Sequence, residues 1–202
     1  MTDNILRQNI EGSIEVHRRV LEACLPAMTA AAAALVTAYR AGGKAIFFGN
    51  GGSAADAQHF AAEFLGRYLR ERRPLPALAL HANTSAVTAI ANDYGYDHVF
   101  ARQLQAFGAA GDVAVGISTS GNSNSVNEAL VAARKMGITT IGLTGATGGR
   151  MRDLVDVLIS APSNETPRIQ ECHILIGHAL CDAVEQAIAA QPSALGASAP
   201  GK

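Results

Sequence analysis

The chain contains no tryptophan, and phenylalanine and tyrosine together bring the aromatic share only to 5% of 202 residues. Any core is therefore aliphatic and alanine-rich, and 49% hydrophobic residues are enough to build a substantial one. Cysteine is scarce and odd in number: Cys24, Cys172 and Cys181 show no framework spacing. That pattern excludes a disulfide scaffold and fits reduced thiols in a cytosol. Charge of one sign is also missing, with a formal net charge of −1 and no long basic run. "RYLRERR" (Arg67 to Arg73) is a short basic cluster, read here as a solvated helix end. Nucleic acid is not an implied partner. "MTDNILRQNIEGS" has no signal-peptide apolar region. "AMTAAAAALVTAY" (Ala27 to Tyr39) falls short of the roughly 20 apolar residues that span a bilayer. The expectation is a cytoplasmic protein with no membrane partner.

What is present divides the chain in three. Ile5, Ile10, Ile14, Val16, Val20, Leu21 and Leu25 recur at roughly helical spacing. Pro26 interrupts that run, and a second helix follows to about Arg40, closed by Gly42 and Gly43. Residues 1–41 therefore read as a helical pair, packed either against another subunit or against the chain's own sheet. From Lys44 short apolar runs alternate with helical stretches: "KAIFFGN", "PALAL", "DVAVGIS", "TTIGLTG" and "DVLISAP". Such alternation predicts an α/β domain over residues 42–190, a flavodoxin-like five-stranded parallel sheet with helices on both faces. "SNSVNEALVAARKMG" is an amphipathic helix closed by Gly137, and a last helix starts near Pro167 and runs to about Ala190. The tail, residues 191–202, reads as disordered.

Two loops point to function. "GNGGSA" (Gly49 to Ala54) follows the first strand and opens a helix, matching the dinucleotide fingerprint in form. That fingerprint also needs an acidic residue at the end of the second strand, to hold a ribose hydroxyl. Here "LALHANTS" ends in His81, with no carboxylate until Asp93, and no Gly-Lys-Ser/Thr follows the loop to make it a P-loop. After the third strand, "ISTSGNSNS" (Ile117 to Ser125) gathers five hydroxyl side chains around one glycine just before a helix. Hydroxyls and free backbone N–H groups at a helix N-terminus suit a phosphate. In a flavodoxin-like strand order the first and third strands are neighbours, so both loops face one crevice. His59 and Glu63 lie one turn apart on the helix leaving the first loop. Gln170 and His178 lie eight residues apart on the last helix, about 80° around its axis.

"GNGGSAADAQHFAAE", "AIANDYG", "GDVAVGISTSGNS", "LTG…GG" and "RIQECH…GH" together resemble the sugar isomerase (SIS) domain of phosphoheptose isomerases, in the same order and spacing to about Gln186. The resemblance implies an aldose–ketose isomerase converting sedoheptulose 7-phosphate to D-glycero-D-manno-heptose 7-phosphate through an enediol, the first step toward ADP- or GDP-heptose precursors. It implies one zinc ion per subunit on His59, Glu63, Gln170 and His178. It implies substrate contacts from Asn50, Gly51, Gly52, Ser53, Glu63, Asn92, Asp93, Ser118, Thr119, Ser120, Ser123 and Gln170. Glu63 is the expected base and His178 the expected acid. A homotetramer follows from the resemblance, with the N-terminal helices in the interface. Two other classes share the fold: a binding protein of the replication-initiator-associating type, and other sugar-phosphate enzymes. The binding relatives look as if they lack the metal-site glutamate and carry a bulkier residue in the serine loop, whereas "HFAAE" keeps Glu63 and "STSGNS" keeps Ser120.

Overall fold

The computed structural model describes residues 2–190; the expected disordered tail lies outside them. Helix α1 (Thr2–Arg40) leads into β1 (Ala45–Gly49), α2 (Gly52–Leu65), β2 (Ala77–Ala79), α3 (Thr84–Tyr94) and α4 (Val99–Phe107). Then come β3 (Val113–Ile117), α5 (Asn124–Lys135), β4 (Thr139–Thr144), β5 (Val157–Ser160) and α6 (Thr166–Ala189). Short 3-10 turns lie at Tyr96–His98 and Gly149–Asp153. The five strands are those the apolar runs predict, and they form one parallel sheet in the order β2-β1-β3-β4-β5. Helices α3 and α4, which the sequence reading does not assign, supply the crossover from β2 to β3.

Alternation along the strands feeds two cores. Phe47, Val113 and Val115 face α1, α2 and α6. Ile46, Phe48 and Ala114 face α4 and α5, with Val87 and Ile90 of α3 packed alongside. Strands covered on both faces read as unbroken apolar runs, as β1 and β3 do.

The N-terminal region differs from the expected pair: Thr2–Arg40 is one helix with Pro26 inside it. An interior proline costs about 3 kcal/mol and removes one helical hydrogen bond. Packing outweighs that cost. Val16, Val20 and Cys24 before the proline, and Ala31, Leu35 and Ala38 after it, form one continuous stripe buried in the core shared with α6 and β5. By length and composition α1 could also cross a bilayer, with a mean hydropathy of 1.7 over its most apolar 18 residues. Its inward stripe is instead committed to the sheet. Outside that stripe Ile5, Leu6, Ile10, Ile14, Leu21 and Leu25 stay exposed. Of the two packing options raised by the sequence, packing against the chain's own sheet is the one this stripe makes.

The basic cluster is not simply a solvated helix end. The Arg72 side chain is only 2% exposed, because its guanidinium is drawn in to the carbonyls that end α2 and to the buried Glu185. The three cysteines are free and buried, and burial pushes the Cys172 thiol up to about 11 and the Cys181 thiol up to about 12. They are inert as nucleophiles.

Asp112 ties the entry points of the two central strands. Its Oδ1 accepts from Lys44 N at 3.0 Å, and its Oδ2 accepts from Ala109 N at 2.8 Å and pairs with Lys44 Nζ at 2.7 Å. The Asp112 side chain is 3% exposed. Asp112→Ala leaves two backbone donors unsatisfied at the head of β1 and β3, which should cost about 1–3 kcal/mol. A thermal melt should show Tm falling by roughly 2–4 °C per kcal/mol lost. An unchanged Tm would mean that solvent satisfies those donors.

Candidate functional site

The sheet brings the two loops together as the strand order requires. Gly49 at the end of β1 is in register with Ile117 at the end of β3. Ligands in open parallel sheets bind beyond such carboxyl ends. Both loops run directly into helices, α2 and α5, whose first N–H groups and dipoles face the crevice.

Hydrogen bonds lock the loops to each other. Asn50 Nδ2 donates to Ser125 Oγ at 3.1 Å, and Asn50 Oδ1 accepts from Tyr96 OH at 2.8 Å. Asn124 Nδ2 donates to Asp97 Oδ2 at 3.2 Å, so the 3-10 turn after α3 touches both loops. Ser118 and Ser123 hydroxyls meet at 3.0 Å, and Ser120 Oγ accepts from Asn122 N at 3.1 Å. Ser123 starts α5 but makes no side-chain cap, which leaves the first N–H groups of that helix open. Thr119 contributes its carbonyl to Gly145 N at 2.9 Å. Gly121 turns the serine loop with φ +66°, a value L side chains rarely adopt, and a Cβ there would strike the Gly148 carbonyl. The "GG" that follows β4 has its own reasons: Gly148 and Gly149 both have positive φ, and a Cβ at Gly149 would strike the Ser120 carbonyl. Gly51 and Gly52 are exposed at the start of α2, and Ser53 is buried beneath them.

The donor side chains assemble on a different feature, the seam between α2 and α6. Gly177 has no side chain where the Phe60 ring lies; a Cβ there would overlap the ring. The close approach sets His178 beside His59, with the two Nε2 atoms 2.9 Å apart. Glu63 Oε1 is 3.4 Å from His59 Nε2. His59, Glu63 and His178 thus offer three ligand atoms all within 4.8 Å of one another. For bonds of about 2.0–2.1 Å, a tetrahedral zinc site has ligand atoms roughly 3.3 Å apart, so these separations and this N,N,O chemistry suit a metal such as zinc. The His59 side chain is 44% exposed and that of Glu63 is 21% exposed, so the group is open to solvent and to a ligand.

Gln170 lies elsewhere on the same seam. Its amide nitrogen occupies the space a Cβ at Gly52 would need, at the first turn of α2. Gly52 and His59 are seven residues apart, roughly 10 Å along the helix. Asn92 and Asp93 stay exposed at the end of α3, with Asn92 Nδ2 donating to Asp93 Oδ1 at 2.8 Å. Among the described residues, no hydrogen bond joins either of them to the loops.

The sequence reading does not find Tyr96, Asp97 or Arg150. Arg150 donates to the Asn122 carbonyl at 2.8 Å and so puts a cation beside the serine loop. No spacing signal marks these residues; only the fold brings them in. His173 illustrates the opposite case. It sits five residues before His178 but is buried, with Nε2 3.1 Å from the Thr144 carbonyl. Burial pushes His173 down to about 4, opposed by that hydrogen bond, so it is neutral at ordinary pH. Asp56, one turn before His59 on α2, is pushed up to about 6 by burial, with His59 acting against the shift.

A family model described as "SIS domain" matches residues 10–145. The chain is 57% identical over 165 residues to a phosphoheptose isomerase of Rhodospirillum rubrum, covering 82% of this chain and 88% of that one. Its fold matches a phosphoheptose isomerase of Neisseria gonorrhoeae with a TM-score of 0.88 at 44% identity, covering 92% of this chain and 100% of that one. A phosphoheptose isomerase of Francisella tularensis matches with a TM-score of 0.89 at 36% identity, over 92% of this chain and 99% of that one. The chain belongs to the SIS-domain family and, within it, to the phosphoheptose isomerases.

Proposed function

We propose that this isomerase interconverts sedoheptulose 7-phosphate and D-glycero-D-manno-heptose 7-phosphate in the cytoplasm. The observation that carries the reading is the His59–Glu63–His178 group, open to solvent and on the same α2 that begins at the glycine loop. A base, an acid and a phosphate anchor are what an enediol mechanism needs. The serine loop, with Ser118, Thr119, Ser120 and Ser123, and the N–H groups of α5 hold the phosphate. Asn50, Gly51, Gly52 and Ser53 face sugar hydroxyls, and Asn92, Asp93 and Gln170 complete the substrate contacts. Binding the distal phosphate fixes C1 and C2 against Glu63.

Glu63 removes the proton from C1 of the open-chain ketose. The C–H electrons form the C1–C2 double bond while His178 gives a proton to the carbonyl oxygen at C2. Imidazole exchanges protons near neutral pH, which suits it to serve the two oxygens in turn. Glu63 then returns its proton to C2 as the O1 hydroxyl loses one, completing the aldose. Oε1 of Glu63 faces His59, and its second oxygen is left for the proton. His59, Glu63 and His178 would hold the zinc, which when bound would supply Lewis-acid polarisation of the substrate oxygens, while Gln170, expected as a fourth ligand, lies at the other end of the seam and is left to the substrate.

The exposed apolar face of α1 supports a homo-oligomer, and a tetramer is the proposed state, with residues 1–41 as the interface segment and residues 42–190 as the SIS domain. Ile5, Leu6 and Ile10 are exposed near the start of α1 and lie outside the core. Replacing all three with aspartate should leave each subunit folded and shift light scattering from oligomer to monomer. A variant with unchanged mass would place the interface elsewhere.

Incubation with sedoheptulose 7-phosphate followed by NMR of the products tests the reaction directly; no turnover by folded, metal-loaded protein would overturn it. Glu63→Gln keeps the shape but removes the basic carboxylate. Turnover should fall about 10²–10⁴-fold, the range a positioned acid–base group supplies. Retention of more than about a tenth of wild-type turnover would remove Glu63 from the role of base.

Elemental analysis should find about one zinc per subunit, as a single site with three protein ligands and an open position requires. His59→Ala should lower zinc content and affinity sharply. Metal-free protein with activity untouched by chelator would exclude a metal from the site.

A further inference from the structure

His178 is placed by more than its own helix. Among the described residues, its ring makes one hydrogen-bond contact, Nε2 to His59, and none at Nδ1. A ligating or proton-transferring imidazole ordinarily has its second nitrogen bound to a carboxylate or carbonyl, which fixes the plane of the ring. That device is missing here. What meets His178 instead is the flat face of Tyr68, with ring centroids 5.4 Å apart and planes 24° from parallel. Offset stacking of this kind restricts the tilt of both rings.

Tyr68 belongs to no helix or strand, so its own position needs a cause. The cause is a buried carboxylate on α6. Glu185 lies seven residues beyond His178, two turns along the same face. Its Oε1 accepts from Tyr68 N at 2.9 Å, and its Oε2 accepts from Leu69 N at 2.7 Å and Arg70 N at 2.6 Å. Asp182, one turn beyond His178, takes the Arg70 guanidinium. Burial pushes the Glu185 carboxyl up, but three backbone donors and the neighbouring Arg72 outweigh it and hold the group below the usual carboxylate range. Glu185 is therefore charged.

Arg72 closes the bracket on the other helix. Its Nε is 3.3 Å from Glu185 Oε1. Its Nη2 donates to the Glu63 carbonyl at 2.8 Å, and its Nη1 donates to the carbonyls of Phe64 at 2.9 Å and Gly66 at 2.8 Å. Those are end-of-helix carbonyls, which lack helical partners. One buried ion pair thus satisfies the end of α2 just past Glu63, holds the segment that leaves it, and lays an aromatic ring of that segment on His178.

We infer that Tyr68 is a positioning residue that orients the His178 imidazole by stacking, and that the buried Arg72–Glu185 pair exists to hold Tyr68 there. The inference rests on the isomerase reading of His178 for its consequence in turnover, but not for its geometry. It assigns the stacked face of Tyr68 the work, not the hydroxyl. Phenylalanine should therefore replace it, and an aliphatic residue of similar bulk should not.

The test compares full-length wild type, Tyr68→Phe and Tyr68→Leu. In wild-type protein without metal, NMR should show the His178 ring protons shifted upfield by the Tyr68 ring current. The shift should persist in Tyr68→Phe and vanish in Tyr68→Leu. Zinc affinity, read by competition with a chelating dye, should stay near wild type in Tyr68→Phe and weaken about 10–100-fold in Tyr68→Leu, the usual effect of losing a group that orients a ligand. With sedoheptulose 7-phosphate, kcat in Tyr68→Leu should fall about tenfold or more, on the order of a misplaced acid–base group. KM should change little, because the phosphate anchor is untouched. His178 protons at unshifted positions in wild type would overturn the proposal, whatever the variants do. So would wild-type zinc affinity and kcat in a folded Tyr68→Leu, or a Tyr68→Phe as impaired as Tyr68→Leu. If wild type turns over no sedoheptulose 7-phosphate, the isomerase reading fails, while the NMR and zinc measurements still decide the positioning role.

Discussion

The approach of α6 to α2 is the contact on which the site depends. It is set by an absence: Gly177 has no Cβ, and the Phe60 ring fills the space. Helix axes usually lie 8–10 Å apart, according to the side chains between them. Here a glycine against an aromatic face allows a close crossing at the level of His59 and His178. A larger residue at position 177 would push the helices apart, and the 2.9 Å between the two imidazoles would be lost. A second small residue, Gly52, does the same for Gln170 at the other end of the seam. The seam is thus pinned at both ends by residues that contribute no functional group.

Two independent features then have to agree in space. The sheet places the glycine and serine loops, because β1 and β3 are neighbours in register at their carboxyl ends. The helix seam places His59, Glu63 and His178. Helix α2 belongs to both, since it starts in the glycine loop and carries His59 and Glu63 on its outward face. Its length therefore sets the span between the two helix N-termini, the proposed phosphate anchor, and His59 and Glu63, which under the proposed assignment places the phosphate at the far end of the sugar from the reacting carbons.

Burial divides residues of the same type into different work. His173 and His178 share α6, yet burial keeps the first neutral while the second lies at the surface of the seam. Glu63 is partly exposed, whereas Glu185 is sealed in and fully committed to backbone donors. Helix α1 is divided in the same way: a stripe from Val16 to Ala38 is spent on the core, while isoleucines and leucines such as Ile5, Ile10 and Leu21 stay at the surface.

The sheet, its parallel sense, the pairing of the two loops and the His59–Glu63 turn were all legible in the sequence. Each rests on a short-range signal: apolar period, glycine and serine next to a helix start, or an i, i+4 spacing. The course of α1 through Pro26 was not, because a local rule about proline cannot weigh a stripe of core contacts spread over some 25 residues. Nor was the fate of Arg72, which looks like one more charge in a basic run until the end of α2 and Glu185 are brought to it. Tyr68, Tyr96 and Arg150 carry no spacing relation to their partners, which lie 110, 46 and 28 residues away in the chain. Sequence determined which residues could do the chemistry, since residue type and helical period fix that locally. Tertiary structure alone decided which of them meet, because the approach of α6 to α2 is a property of side-chain volume between segments more than 100 residues apart.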